Sequence, residues 1–251
     1  TCGASLAKGG RIVGGRNATE GEFPWMVALQ HTSGSHFCGG SIIKPDIVVT
    51  AAHCVGGHVY LRLQLELYNS KEQIDRFCLC PQVQKFFVHE SFVDEPYASP
   101  KVFNDIALLK LVDPFDFGKS EGHIGAVCLP AKDRPLEGKV AVTGWGQTSH
   151  DGPKSPHLLA VSVPVLSSMI CESETRITYD SETMFCAGSP GKDACTDDSG
   201  GPAVVKESEP AILVGVVSFG HGCAEAPAYG VYTRVPAFTA WIAENIAKLQ
   251  S

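Results

Sequence analysis

Three short segments hold side chain types that can act together on a carbonyl carbon. Thr50-Ala51-Ala52-His53-Cys54 sets a histidine among small residues at the end of a strand-like run. Asn104-Asp105-Ile106-Ala107-Leu108-Leu109 places an aspartate just ahead of an apolar strand. Asp197-Asp198-Ser199-Gly200-Gly201-Pro202 surrounds a serine with glycines, which permit a tight backbone that exposes the hydroxyl. Each segment alone has an ordinary reading: a core histidine, a turn aspartate, a Ser-Gly-Gly-Pro turn. Their conjunction is far more specific. A serine hydroxyl is a poor nucleophile at neutral pH and needs a base to take its proton. The base in turn needs an anion to fix its tautomer and stabilise the imidazolium. His53, Asp105 and Ser199 supply these three types in the chain order His, Asp, Ser.

The elements that must position them follow from composition and pattern. The chain has 251 residues, of which 44% are apolar and 19% charged. That excludes a disordered or collagen-like chain and suffices for one large β domain or two smaller ones. No run of 18 apolar residues occurs, so no transmembrane helix is predicted. Twenty Lys and Arg against 27 Asp and Glu give a net charge of −7, with no basic stripe for nucleic acid or anionic membrane. Short β-rich runs at 25–29, 41–50, 59–67, 106–112, 140–144, 203–205, 212–219 and 230–235 are bounded mostly by Gly, Pro, Asn or Asp. Without βαβ alternation, a doubly wound sheet is not expected. One helix is clear: Phe238, Trp241, Ile242, Ile246 and Leu249 share a face after Pro236. Residues 165–171 form a softer helical candidate, and the polar segment 118–125 is the best candidate linker. The ten cysteines are Cys2, Cys38, Cys54, Cys78, Cys80, Cys128, Cys171, Cys186, Cys195 and Cys223. They are even in number and point to disulfides formed in an oxidising compartment. No repeated CxxC at zinc spacing and no HExxH supports a metal cluster. Asn17-Ala18-Thr19 is a glycosylation sequon, and the start at Thr1 without a signal-like stretch predicts processing from a longer precursor.

The order His53, Asp105, Ser199 and the residues flanking each resemble the chymotrypsin/trypsin family of serine proteases, from Ile12 to the terminal helix. The resemblance implies an all-β fold of two packed antiparallel six-stranded β-barrels with a C-terminal α-helix. Residues 12–122 would form the first barrel and 123–251 the second barrel and helix, with 1–11 an activation leader tethered by Cys2. The implied protein is a secreted endopeptidase that works through an acyl-enzyme, with the triad in the cleft between barrels. Ser199 would be the nucleophile, His53 the general acid and base, and Asp105 the orienting anion. The backbone N–H groups of Asp197 and Ser199 would form the oxyanion hole. Arg11-Ile12-Val13-Gly14-Gly15 resembles the family's activation site. Cleavage after Arg11 by another trypsin-like protease would free the Ile12 ammonium to pair with Asp198. Asp193 matches the base of the primary pocket and implies cleavage after Arg or Lys; Ala194 beside it favours Arg. Gly220 and Gly230 match open pocket walls, and Ser218-Phe219-Gly220 the strand that pairs with substrate backbone, with Phe219 in place of the usual Trp. Tyr229 stands where simple trypsins have Pro, which implies a Na⁺ site as modulator; no cofactor is required. Protein substrates and protein protease inhibitors are the implied partners.

Three departures sharpen the reading. Asp197 stands where the family nearly always has Gly, adding a Cβ and a negative charge beside the expected oxyanion hole. This predicts restrained or gated catalysis and keeps open a rival reading, a non-catalytic homologue that binds partners. Residues 93–103, just before Asp105, are longer than in simple digestive enzymes and predict a loop beside the cleft. The resemblance also implies the bridges Cys2–Cys128, Cys38–Cys54, Cys171–Cys186 and Cys195–Cys223. Val140 and Val205 occupy both positions of a further family bridge. Cys78 and Cys80 have no family partners; they would form a CxC bridge, stay reduced or pair elsewhere. The tethered leader, Asp197, the longer loop and Tyr229 together point to a regulatory cascade enzyme.

Overall fold

The computed structural model describes residues 1–7, 15–31, 35–55, 62–64, 81–95, 101–146, 152–174, 178–189, 198–206, 210–220 and 229–250. Its first half contributes strands β1 (Arg16–Asn17), β2 (Met26–Gln30), β3 (His36–Lys44), β4 (Ile47–Thr50), β5 (Arg62–Gln64), β6 (Val83–Val88), β7 (Val93–Glu95), β8 (Lys101–Phe103) and β9 (Ala107–Leu111). Its second half contributes β10 (Lys139–Gly144), β11 (Leu159–Pro164), helix α1 (Ser168–Glu174), β12 (Met184–Ala187), β13 (Pro202–Val205), β14 (Ile212–Gly220), β15 (Gly230–Arg234) and helix α2 (Thr239–Gln250). Every pairing between these strands is antiparallel, in two large sheets ordered β5-β2-β3-β4-β9-β6 and β1-β11-β10-β13-β14-β15-β12, plus the ribbon β7-β8. This is the all-β, two-sheet arrangement with a terminal helix that the resemblance implies. The second sheet has seven strands rather than six because β1 adds to its edge, pairing Arg16 with Ala160 and Asn17 with Leu159.

Local chemistry explains where strands break. The apolar run 41–50 is two strands, because Pro45 cannot donate to a ladder and Pro45-Asp46 makes the turn. The carbonyls of that turn are used: Phe115 N–H donates to Pro45 O at 2.7 Å and Leu111 N–H to Asp46 O at 2.9 Å. The segment read as a loop over 93–103 has a hairpin frame, with Val93 opposite Phe103 and Glu95 opposite Lys101. The polar segment 118–125 is a hydrogen-bonded turn region around buried Ser120, whose Oγ lies 2.9 Å from Phe117 O and 3.0 Å from Ile124 O. It joins the halves but is tied down within itself.

The core is built from the inward residues of both sheets, with Trp25, Leu29, Ile42, Ile106, Leu108 and Leu213 among those fully buried. Each such side chain contributes about 1.5–3 kcal/mol relative to exposure. The predicted helical face is found in α2, where Trp241, Ile242 and Ile246 are buried, after a 3-10 turn over Val235–Phe238. Trp241 Nε1 donates to Glu90 Oε2 at 2.9 Å, and His89 packs edge-on against Phe238, fastening α2 to the end of β6. The softer helical candidate appears three residues later than expected, as α1, and buries Cys171.

The leader is docked rather than trailing. Cys2 is bonded to Cys128, Gly3 N–H donates to Ala126 O at 2.7 Å, and Ala211 N–H donates to Gly3 O at 3.0 Å. Leu6 N–H donates to Gly21 O at 2.9 Å, and its side chain occupies space left by Gly21 and Gly122. A Cβ built on either glycine would come within 2.8 Å of Leu6. Both glycines have positive φ, at 68° and 88°. No helix among the described residues is long and apolar enough to cross a membrane.

Candidate active site

His53 sits three residues past the end of β4, in a turn held by Cys54 N–H to Ala51 O and Val55 N–H to Ala52 O. The Cys38–Cys54 bridge ties that turn back to β3. The small residues around His53 now have a reason: Ala51, Ala52 and Val55 are fully buried, and only compact side chains fit beneath the histidine. About 28% of its side chain is exposed. Cys54 Sγ lies 3.7 Å from Nε2, but that sulfur is bonded to Cys38, so this cluster offers no thiolate to a metal.

Asp105 is buried at 2% exposure and lies beneath the imidazole. Its Oδ1 accepts the His53 backbone N–H at 2.9 Å, and its Oδ2 lies 2.8 Å from His53 Nδ1. Ser218 donates a short hydrogen bond to the same Oδ2. Burial alone pushes this carboxyl up. The His53 ring bond and charge, the Ser218 hydroxyl and the His53 N–H outweigh burial and hold it below the usual aspartate range. A carboxylate with three donors therefore stays anionic and fixes Nδ1–H toward itself, leaving Nε2 for the cleft. Asn104, just before it, adopts a positive φ of 53°, tolerable for an Asn in this conformation, and its Nδ2 donates to Ser91 O at 2.9 Å. The β7-β8 ribbon delivers the chain into this turn.

Ser199 lies in the turn before β13, half-buried, with Gly200 at φ 78°. Its carbonyl accepts Gly39 N–H from β3 at 2.7 Å, and Gly200 N–H donates to Val217 O at 2.7 Å. A Cβ on Gly200 would lie 2.2 Å from Thr50 Oγ1 and 2.5 Å from Gly39 O, so only glycine fits. The serine is thus clasped between β3 of one sheet and β14 of the other. Asp198 beside it gives Oδ1 to Gly146 N–H at 2.8 Å, and a Cβ on Gly144 would collide with that oxygen at 1.9 Å.

The structure therefore brings together His53, Asp105, Ser199, Asp198 and Ser218 from four separate stretches of sequence. Ser218 differs from expectation: read only as a substrate-backbone residue, it also spends its hydroxyl on Asp105. Gly220 and Gly230 face each other as the last pair of β14 and β15, and Phe219 pairs with Val231 across a bulge. Tyr229 and Phe219 pack partly buried against Cys171, Met184, Cys186 and Val231. Asn17 is exposed on β1. The bridges Cys2–Cys128, Cys38–Cys54 and Cys171–Cys186 are present. Arg11, Ile12, Asp193, Ala194, Asp197, Cys78, Cys80 and the expected Cys195–Cys223 bridge lie outside the described residues. The β10–β13 ladder pairs Ala141 with Val204 and Val142 with Ala203, next to Val140 and Val205 in sequence.

Sequence reasoning passed over four contributors. Thr50 stood in the quoted histidine motif without a role, and its Oγ donates to Gly39 O at 2.8 Å. Thr233 lay in an anticipated strand, and its Oγ donates to Asp105 O at 2.7 Å. Arg16 pairs with the buried Glu22, which nothing in their spacing announced.

Two antiparallel sheets with an imidazole, a buried carboxylate and a glycine-flanked serine at their meeting line define a serine hydrolase. The comparisons place it more closely. The trypsin family, described as "Trypsin", matches residues 12–242. The chain is 40% identical over 240 residues to Hypodermin-B of Hypoderma lineatum, covering 94% of this chain and 88% of that one. It is 36% identical over 249 residues to Trypsin-1 of Astacus astacus, covering 93% of this chain and 99% of that one. The chain belongs to the trypsin family of serine proteases, and is a serine endopeptidase that acts on protein substrates.

Proposed function

We propose that this protein cleaves polypeptides after Arg, and less readily after Lys, and that cleavage after Arg11 switches it on. The observation that carries the reading is the His53–Asp105–Ser218 network lying beside the clasped Ser199. In this reading Ser199 Oγ attacks the scissile carbonyl carbon while His53 Nε2 takes its proton. Asp105 stabilises the imidazolium that forms. The tetrahedral intermediate collapses as His53 passes the proton to the leaving amine, which departs and leaves an acyl-serine. Water then enters, His53 takes its proton, and the carboxylic acid is released with Ser199 restored. The backbone N–H groups of Ser199 and Asp197 serve the oxyanion.

Asp193 is the reason for the cationic preference: a carboxylate at a pocket base pairs bidentately with a guanidinium. Trypsin-1 of Astacus astacus bears a name consistent with this. For activation, the Asp198 carboxylate already holds Gly146 N–H, and the freed Ile12 ammonium is its expected second partner. The leader supports the switch reading, because its anchors at Cys128, Ala126 and Gly21 keep it attached after Arg11 is cut. No cofactor is needed. Tyr229, which packs against Cys171, Met184, Cys186 and Val231, marks where Na⁺ would act as a modulator in this reading. A faster rate in sodium than in choline salts at matched ionic strength supports the ion, and equal rates overturn it. Secretion and a regulatory cascade role belong to the same reading, supported by the disulfides and the docked leader.

The test is fluorophosphonate labelling and cleavage of Arg, Lys and Phe p-nitroanilides, before and after verified cleavage at Arg11. Labelling at Ser199 that rises on cleavage, with Arg preferred over Lys and Phe refused, supports the reading. Cleavage of the Phe substrate at a similar rate overturns the pocket assignment, and labelling unchanged by cleavage overturns the switch.

A further inference from the structure

An aspartate has only two side-chain torsions, so its carboxylate goes where its backbone puts it. Asp105 enters β9 from a left-handed Asn104, whose carbonyl is taken by Ile106 N–H at 2.8 Å. The next carbonyl, that of Asp105 itself, is reached from the other sheet. Thr233 of β15, buried at 3% exposure, donates its hydroxyl to Asp105 O at 2.7 Å. Ser218 of the neighbouring strand β14 donates to Asp105 Oδ2. Val216 pairs with Thr233, and Ser218 lies in the bulge between Val217 and Phe219, from which its hydroxyl reaches the same aspartate. One rigid strand pair thus grips Asp105 at two points, one on its main chain and one on its carboxylate. A single grip fixes position and leaves rotation free; two grips fix both.

We propose that Thr233 is a positioning residue for the triad: its hydroxyl fixes the Asp105 peptide across the sheet boundary so that Oδ2 meets His53 Nδ1 in line. It touches neither substrate nor the reacting atoms and acts through Asp105. The proposal rests on the reading of Asp105 as the orienting anion. Its physical basis is that a catalytic group must be held within about 0.5 Å and 10–20° of its working geometry. Misplacement near 1 Å costs about a hundredfold in rate. A Val at 233 keeps the shape but removes the donor. It leaves a buried carbonyl unpaired, and the Asp105 peptide free to turn toward another partner.

The experiment compares Thr233→Val, Thr233→Ser and Asp105→Asn with the wild type in the full chain, each after verified cleavage at Arg11. It measures kcat and KM for p-nitrophenyl acetate, per site titrated with a fluorophosphonate. The low-field proton resonance of His53 Nδ1–H serves as a spectroscopic readout independent of turnover. Thr233→Val is expected to lower kcat by about ten- to a hundredfold with KM within about twofold. Its low-field proton should move upfield, and Thr233→Ser should restore both. Loss of thermal stability with kcat per site and the proton resonance unmoved overturns the proposal, because Thr233 is then structural only. Full activity in Asp105→Asn overturns the reading of Asp105 instead, which separates the two failures. If Thr233→Val does not fold, Thr233→Ala against Thr233→Ser makes the same comparison, since only the serine keeps the hydroxyl.

Discussion

Arg16 and Glu22 meet in a two-pronged ion pair, Nη2 at 2.6 Å from Oε1 and Nη1 at 2.9 Å from Oε2, with the Glu22 side chain fully buried. Thr19 N–H also donates to Glu22 Oε2 at 2.9 Å, and Lys206 Nζ donates to Glu22 O at 3.0 Å. Burial pushes the Glu22 carboxyl up, but Arg16, the Thr19 N–H and Lys206 outweigh it and hold it below the usual glutamate range. Arg16 stands just past the expected activation site, so this pair anchors the start of β1. Arg16→Met strands the buried carboxylate and is expected to cost about 3–5 kcal/mol in denaturant unfolding. Because the Glu22 pKa is depressed, the pair's contribution is complete above the unfolded value near 4.3 and fades as pH falls through the folded one. The stability gap between wild type and Arg16→Met should therefore be flat from about pH 6 to 8 and narrow below about pH 4.

Asp105 gives a second pH statement with the same sign. Its carboxyl is held below the usual range, so its stabilising contribution is full above about pH 4 and is lost only in stronger acid. Activity between about pH 6 and 8 is therefore not limited by titration of this group. Asp105→Asn keeps the shape but no longer fixes the imidazole tautomer, and kcat should fall about 10⁴-fold. Stopped-flow acylation with a p-nitrophenyl ester measures this, and a loss below tenfold contradicts the orienting role.

Gly15 and Gly200 separate backbone strain from collision. Both have positive φ, at 74° and 78°, but a Cβ on Gly15 meets nothing within 4 Å whereas one on Gly200 overlaps Thr50 and Gly39. Gly15→Ala is expected to cost only the left-handed strain, about 1–2 kcal/mol. Gly200→Ala must also move β3 or the serine turn. It should cost clearly more in thermal unfolding and slow fluorophosphonate labelling of Ser199 at least tenfold, on the order expected for a misplaced nucleophile.

Asp197→Gly tests the restraint expected from a carboxylate beside the oxyanion. Removing the Cβ and the charge should raise kcat/KM, by at most the roughly 10²–10³-fold that one oxyanion donor is worth. An unchanged kcat/KM for the same substrate would show that Asp197 imposes no gate.

Legibility in the sequence followed how local each signal was. His53, Asp105 and Ser199 were visible because each carries its own neighbourhood: small residues that must fit beneath a ring, an apolar strand, glycines that a clasped turn demands. Helix α2 was visible because its apolar face repeats at helical spacing. Strand β12, four residues all buried, and β11, with mixed burial, carry too little alternation to stand out. The grip of Thr233 on Asp105 spans 128 positions and that of Ser218 spans 113, and neither residue type announces a partner at such distance. The hydroxyl of Ser218 went unread for that reason: its partner Asp105 is beside it only once the sheets have met. The hairpin at β7-β8 was hidden by Pro96 and Pro100, which read as loop although the residues flanking them pair.

Val140 of β10 and Val205 of β13 lie on neighbouring strands of the second sheet, at the two positions to which the family resemblance assigns a further bridge. Here that stretch of the second sheet is held by the β10–β13 ladder and by aliphatic packing: Val140 is fully buried and Val205 packs against its cluster. A reducing environment would therefore sever the leader's tether and the braces at His53 and α1, yet leave this strand pair untouched.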